Sequence, residues 1–281
     1  MKSIVVGIDF QNQSYSALKF AVNMALKMNC YVMLVFVNKP DKSKDIFQRP
    51  KDQVYDEAEE RFKQLLEKYA QQIDKNKINY KIREGKIADE LNRQAIESRA
   101  EMIVVGTHGK GGLKLFSSSG AFQIVEKSSV PVFTIKDGAQ ISDTIKTILV
   151  PIDATLESRQ KIPYTVRLAK LYNAEIHMLA MYHSQVKMVQ ENIILYTKQA
   201  AEYLEDKAVD FVVKSVETDD IVKTTINYSE DIEADIISSM TIQVGSTSNL
   251  WKGSFAEQLI SRSHIPVLNI QPKELMMTMS R

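Results

Sequence analysis

The sequence predicts two tandem α/β domains, each a doubly wound sheet of five parallel strands, packed together as an intramolecular pseudo-dimer. Three observations predict it: an internal repeat, a regular alternation of apolar runs with helical periodicity, and strands too continuously apolar to face water. The repeat is direct. Ile4-Val5-Val6-Gly7-Ile8-Asp9 returns as Ile148-Leu149-Val150-Pro151-Ile152-Asp153, and Ala25, Lys27 and Asn29 meet Ala169, Leu171 and Asn173 at the same offset. Ala100-Glu101-Met102-Ile103 is echoed by Ala234-Asp235-Ile236-Ile237, and Val130-Pro131-Val132 by Ile265-Pro266-Val267. With 281 residues there is room for two domains of common size, so the repeats are whole domains rather than solenoid units.

In the first copy, residues 4–9, 31–37, 79–83, 102–106 and 130–135 have the β-branched, apolar character of strands. Leu18, Ala21, Val22 and Ala25 mark one face of a first helix, and Tyr55, Ala58, Phe62, Leu65, Leu66 and Tyr69 one face of a second. Residues 88–98 and 122–127 supply two more helices. The second copy repeats the scheme, with strands near 148–153, 175–181, 211–216, 236–239 and 266–270. The domains are expected to span residues 1–138 and 144–272, with a short polar linker around 136–140 and a tail over 273–281 carrying Met276, Met277 and Met279. The stretch 39–51, with Pro40, Pro50 and four lysines, reads as an excursion after the second strand. The fifth strands, left alone, would be exposed sheet edges, so the two copies are expected to pair through them.

Charge narrows the function classes. Lys and Arg total 36 against 35 Asp and Glu, so nothing draws the chain to nucleic acid or to a membrane surface. The N-terminus runs directly into a strand without the basic start and apolar stretch of a signal peptide, and no run approaches the ~20 apolar residues of a membrane span. A soluble, cytoplasmic protein is expected. One cysteine, Cys30, excludes an intramolecular disulfide and Cys-clustered zinc, and its apolar neighbours predict a buried, inert thiol. His177, His183 and His264 have no metal-ligand spacing, and no metal site is expected.

In open α/β sheets ligands bind beyond the carboxyl ends of the strands, at the switch in strand order. Two features of copy one reach that edge. Asp9 ends the first strand, and Gly106-Thr107-His108-Gly109-Lys110-Gly111-Gly112 follows the fourth. Glycines let backbone approach phosphate oxygens, and N–H groups at a following helix start bind the anion. Serines 117 to 119 add hydroxyl donors or an N-cap. There is no Gly-x4-Gly-Lys-Ser/Thr string, and the loop is in the wrong place for a dinucleotide fingerprint, so a glycine loop without ligand is an equal reading of these residues alone.

Together, the first-strand aspartate, Gly-Thr-His-Gly after strand four, the helix with Ala121-Phe122-Gln123-Ile124-Val125 and Val130-Pro131-Val132 at strand five resemble the universal stress protein family, over both copies. The resemblance implies a Rossmann-like fold and a regulatory protein binding ATP, with Mg²⁺ held by Asp9 only together with phosphates. ATP-binding members carry Gly-x2-Gly-x9-Gly-Ser/Thr. Carried over, this assigns Asp9, Val37, Gly106 and Gly109, with His108 in the same loop. The last pair is imperfect. It falls on Ser119-Gly120, reversed, or on Ser118-Ser119 if one loop residue is deleted. Copy two keeps Gly253-Ser254 but has Met240-Thr241-Ile242-Gln243 in place of Gly-x2-Gly, so nucleotide is expected in copy one alone. A scaffold with both sites degenerate is the competing reading. No catalytic set falls at the strand edge and the His-x-Gly-His signature of adenylyl transferases is absent, so no enzyme is expected, beyond a slow incidental ATPase. Protein partners are not identified by the sequence, and a homodimer of the whole chain has no specific warrant in it.

Overall fold

The computed structural model describes residues 2–39, 51–108, 117–139, 141–182, 184–241 and 254–272. Copy one runs β1 (Ser3–Gly7), α1 (Asn12–Met28), β2 (Tyr31–Asn38), α2 (Lys51–Tyr69), β3 (Ile78–Glu84), α3 (Ile87–Glu97), β4 (Ala100–Thr107), α4 (Ser118–Lys127) and β5 (Val132–Lys136). Copy two runs β6 (Thr147–Ile152), α5 (Ile162–Tyr172), β7 (Glu175–Tyr182), α6 (Lys187–Asp206), β8 (Phe211–Glu217), α7 (Ile221–Asp231), β9 (Ile236–Met240), α8 (Phe255–Arg262) and β10 (Val267–Ile270). Both first helices end on an asparagine in the left-handed region, Asn29 at φ 52° and Asn173 at φ 55°, which is why the repeat preserves that residue type.

The expected pairing of fifth strands is present. One ten-stranded sheet has the order β3-β2-β1-β4-β5-β10-β9-β6-β7-β8, and the seam β5–β10 is antiparallel, with Leu268 opposite Phe133. All other pairings are parallel. The seam pairs few residues, so side chains reinforce it. Asn269 Nδ2 donates to Val132 O at 3.2 Å, and Gln271 Nε2 donates to Val125 O at 2.8 Å. On one face of the sheet, Ile260 of α8 packs into the core of copy one. The opposite face carries a cluster that runs continuously from Phe20 and Phe133 to Val166 and Leu268, so the two copies share one core.

Two expectations are corrected. Burial on both faces holds for the inner strands but fails at the edges. In β8, Val212 and Val213 are 40% and 43% exposed, and in β3 only the first residue, Ile78, is buried. An edge strand has helix cover over less of its surface, so its apolar residues sit in water. The last helix of copy one also begins at Ser118 rather than Phe122. Cys30 is buried as expected, and burial pushes its thiol up to about 11.

Candidate functional site

The carboxyl ends of β1 and β4 in copy one hold a connected polar cluster. Asp9, just past β1 and largely buried, accepts from the Gln11 N–H at 3.1 Å through Oδ1. The Gln13 amide of α1's first turn lies between Asp9 and the loop after β4. Its Nε2 is 3.3 Å from Asp9 Oδ2 and 2.8 Å from His108 Nε2. A single NH₂ satisfies both neighbours by donating one hydrogen to each. His108 Nε2 is therefore the acceptor, and the ring proton sits on Nδ1. Phe10, next to Asp9, has a left-handed backbone at φ 58°, a costly conformation for an aromatic residue. It is held there by Phe36 and Phe62, with ring centroids at 5.4 and 5.0 Å, and by the Arg61 guanidinium over its face.

The start of α4 closes the cluster. Ser117 is the N-cap, and its Oγ accepts from the Gly120 N–H at 3.1 Å. Ser118 Oγ donates to the His108 carbonyl at 2.9 Å, and His108 and Ser117 form a parallel bridge. The two ends of the glycine loop are thus tied together beside Asp9. Ser119, exposed, sits 3.1 Å from Ser117 Oγ. Gly109 lies outside the described residues. Val37 is buried among Val5, Val35 and Leu91, so what β2 offers a ligand there is backbone.

Gly106 has a packing reason that the sequence did not show. It lies within β4 in an ordinary extended conformation. A Cβ built on it would fall 2.3 Å from Gln13 O and 2.4 Å from Gln13 C. The glycine is required because the first turn of α1 presses on β4. The serine pair also resolves differently. The buried faces of α4 (Ala121, Ile124, Val125) and α8 (Ala256, Leu259, Ile260) superimpose by the repeat, yet α4 starts earlier and is capped by Ser117, whereas α8 is capped by Ser254. Ser118, Ser119 and Gly120 therefore form the first turn of α4 instead of the residues ahead of it, and of the three serines it is Ser117 that supplies the N-cap.

Copy two is built differently at the same place. Met240, at the Gly106 position, is fully buried in β9. There the helix opens instead with a 3-10 segment over Glu157–Lys161. β6 and β9 pair only at Ile148–Ile236 and Leu149–Ile237, against five pairs between β1 and β4. Pro151 stands at the Gly7 position, on the side facing β9, and offers no N–H to the ladder. Lys161, at the place of the small Ala17, is completely buried and donates to Ser158 Oγ at 3.0 Å. Burial lowers its ammonium pKa to about 8, opposed in part by the charge of Asp153. Asp153 Oδ1 accepts from the Thr155 N–H at 2.7 Å, while its Oδ2 is buried without a hydrogen-bond partner among the described residues. Gln243, Trp251 and Gly253 lie outside the described residues; Phe255 is core.

Comparison with known proteins agrees with this architecture. The model of the universal stress protein family matches residues 1–136 and again 144–271. A universal stress protein of Methanocaldococcus jannaschii is 28% identical over 144 residues, which are 48% of this chain and 82% of that protein. The crystal structure of a universal stress protein from Archaeoglobus fulgidus superimposes with a TM-score of 0.73 at 18% identity, covering 97% of each chain. A putative universal stress protein from Pseudomonas aeruginosa gives 0.64 at 15% identity, over 96% of this chain and 93% of that one.

Proposed function

Because the chain belongs to the universal stress protein family, we propose that it is a regulatory protein whose first copy binds an adenine nucleotide, ATP foremost. The observation that supports this most is the cluster in which Asp9, Gln13, His108, Ser117 and Ser118 meet at the switch point of copy one. Phosphates would lie over the first turn of α4, where a helix start favours an anion and Ser119 is exposed. Asp9 would take the ribose or adenine side once Gln13 gives way, beside the backbone at Val37. Mg²⁺ would enter with the phosphates, because a single carboxylate is a poor cation site. Among its described residues copy two offers no equivalent cluster, and Met240 and Lys161 are buried where copy one has Gly106 and Ala17.

Isothermal titration with ATP tests this reading. Gly109→Val is expected to abolish binding with the fold intact, Asp9→Ala to weaken it roughly tenfold or more, and Gln243→Val in copy two to change nothing. One observation favours the competing scaffold reading: Gln13 already occupies Asp9, and its backbone fills the approach to Gly106. Absence of binding by the unaltered protein at millimolar ATP would decide for the scaffold.

A further inference from the structure

Away from that crevice, at the amino ends of the strands, a cavity of about 340 Å³ opens between the two copies. Its floor is apolar: Met28, Met102 and Phe133 from copy one, Leu168 and Leu268 from copy two. Tyr164 forms a second aromatic wall. The rim is charged and unbalanced, with Lys2, Arg167 and Lys170 set against the single carboxylate of Glu101. Arg167 and Lys2 reach Glu101 at 2.8 and 3.1 Å. Burial alone would raise the Glu101 carboxyl, but hydrogen bonds from Arg167 and Lys2 outweigh it and hold the group below the usual range. Glu101 thus stays ionised and fixes two of the cations at the mouth. Lys170 is exposed and has no ion-pair partner within 4 Å among the described residues.

The pseudo-symmetric place across the seam is built from different side chains. There Tyr172 stands for Met28, with Lys27 Nζ 5.7 Å from its ring centroid, and Phe20 stands for Tyr164, packed on Phe133 at 4.9 Å. Asn23 stands for Arg167 and is bonded at 3.0 Å to Asp143 of the linker, which Lys19 also reaches at 3.6 Å. The linker is thus tied to one flank of the pseudo-dimer, and the two flanks are not equivalent.

We propose that this cavity is a binding site for a compact aromatic carboxylate or sulfonate, one per chain, held by both copies at once. Its volume lies at the lower end of the range for small-molecule sites, an apolar floor with few polar groups is what such sites present, and the excess of cations selects an anion. The site shares no residue with the nucleotide crevice and does not depend on that reading.

Titration of the full-length protein with 8-anilinonaphthalene-1-sulfonate, read by fluorescence, tests it. The expected result is a single saturable site, displaced by 1-naphthoate but not by 1-naphthylmethylamine, and indifferent to added ATP. Lys170→Glu is expected to weaken binding roughly fivefold. Met28→Trp, which fills the cavity from its half-exposed side, is expected to abolish it, with circular dichroism and thermal unfolding confirming the fold of each variant. Leu168→Trp serves the same purpose from the other copy should Met28→Trp not fold. No saturable binding, equal displacement by the amine, or binding unchanged in a folded cavity-filled variant would overturn the proposal.

Discussion

Gly106→Ala is expected to lower the unfolding free energy by about 2–3 kcal/mol, a core-scale loss from adding one methyl group. The new Cβ would meet the Gln13 carbonyl group at 2.3 and 2.4 Å and Ser14 N at 2.9 Å. These are backbone atoms at the start of a helix, so no rotamer change relieves the contact. α1 must lift from β4, separating Gln13 from Asp9 and His108. Gly138→Ala is the control. Its φ is +74° but nothing lies within 4 Å of the added Cβ, so only the left-handed backbone is penalised, at roughly 1 kcal/mol. Denaturant unfolding of both variants followed by circular dichroism measures the contrast, and equal losses would remove the packing explanation.

Lys161→Met should raise stability at pH 7 by about 3 kcal/mol. Burial depresses the lysine from 10.5 to about 8. The sign follows from proton counts. Between these values the unfolded chain keeps the proton and the folded chain has lost it, so unfolding becomes harder as pH rises through that window. Below about 8 the folded protein bears the full penalty of a buried ammonium, and near 10.5 the penalty has gone. The advantage of Lys161→Met should therefore be full at pH 7 and fade towards pH 10.5. The difference between the two proteins is the quantity to measure, because other groups oppose the trend. Burial raises Cys30 to about 11 and Tyr172 to about 12, and an acid raised on folding costs stability as pH passes its unfolded value. A pH-independent difference would mean that folding does not depress the Lys161 pKa, the ammonium keeping its hydration in the folded state.

The duplicated α/β scheme and its seam were legible in the sequence because they rest on periodicity: β-branched runs, helical faces and an edge strand that needed a partner. What was illegible depended on approach between distant segments. Gly106 was legible only as a glycine that could meet phosphate; that the Gln13 backbone lies against it is revealed only by the folded chain. The start of α4 was placed late because Ser118, Ser119 and Gly120 carry no apolar period, and the helix is extended instead by the Ser117 cap. Lys161 attracted no notice. It is charged, it falls on a helix, and nothing local marks it as the replacement for Ala17 in a fully enclosed position. The edge strands misled for the opposite reason: Val212 and Val213 have the composition of a covered strand but lie beyond the cover.

The seam between β5 and β10 is closed within one polypeptide. Its association is first order, so dilution cannot separate the halves and their unfolding midpoint should not vary with protein concentration. The same covalent closure frees each half to diverge. In a dimer of identical chains every substitution is made in both crevices at once, whereas here the exchange of glycine for Met240 falls on one and leaves its neighbour untouched. Whatever each crevice holds, each half contributes five strands and a face of helices to the shared core, and so each is needed for the folding of the other.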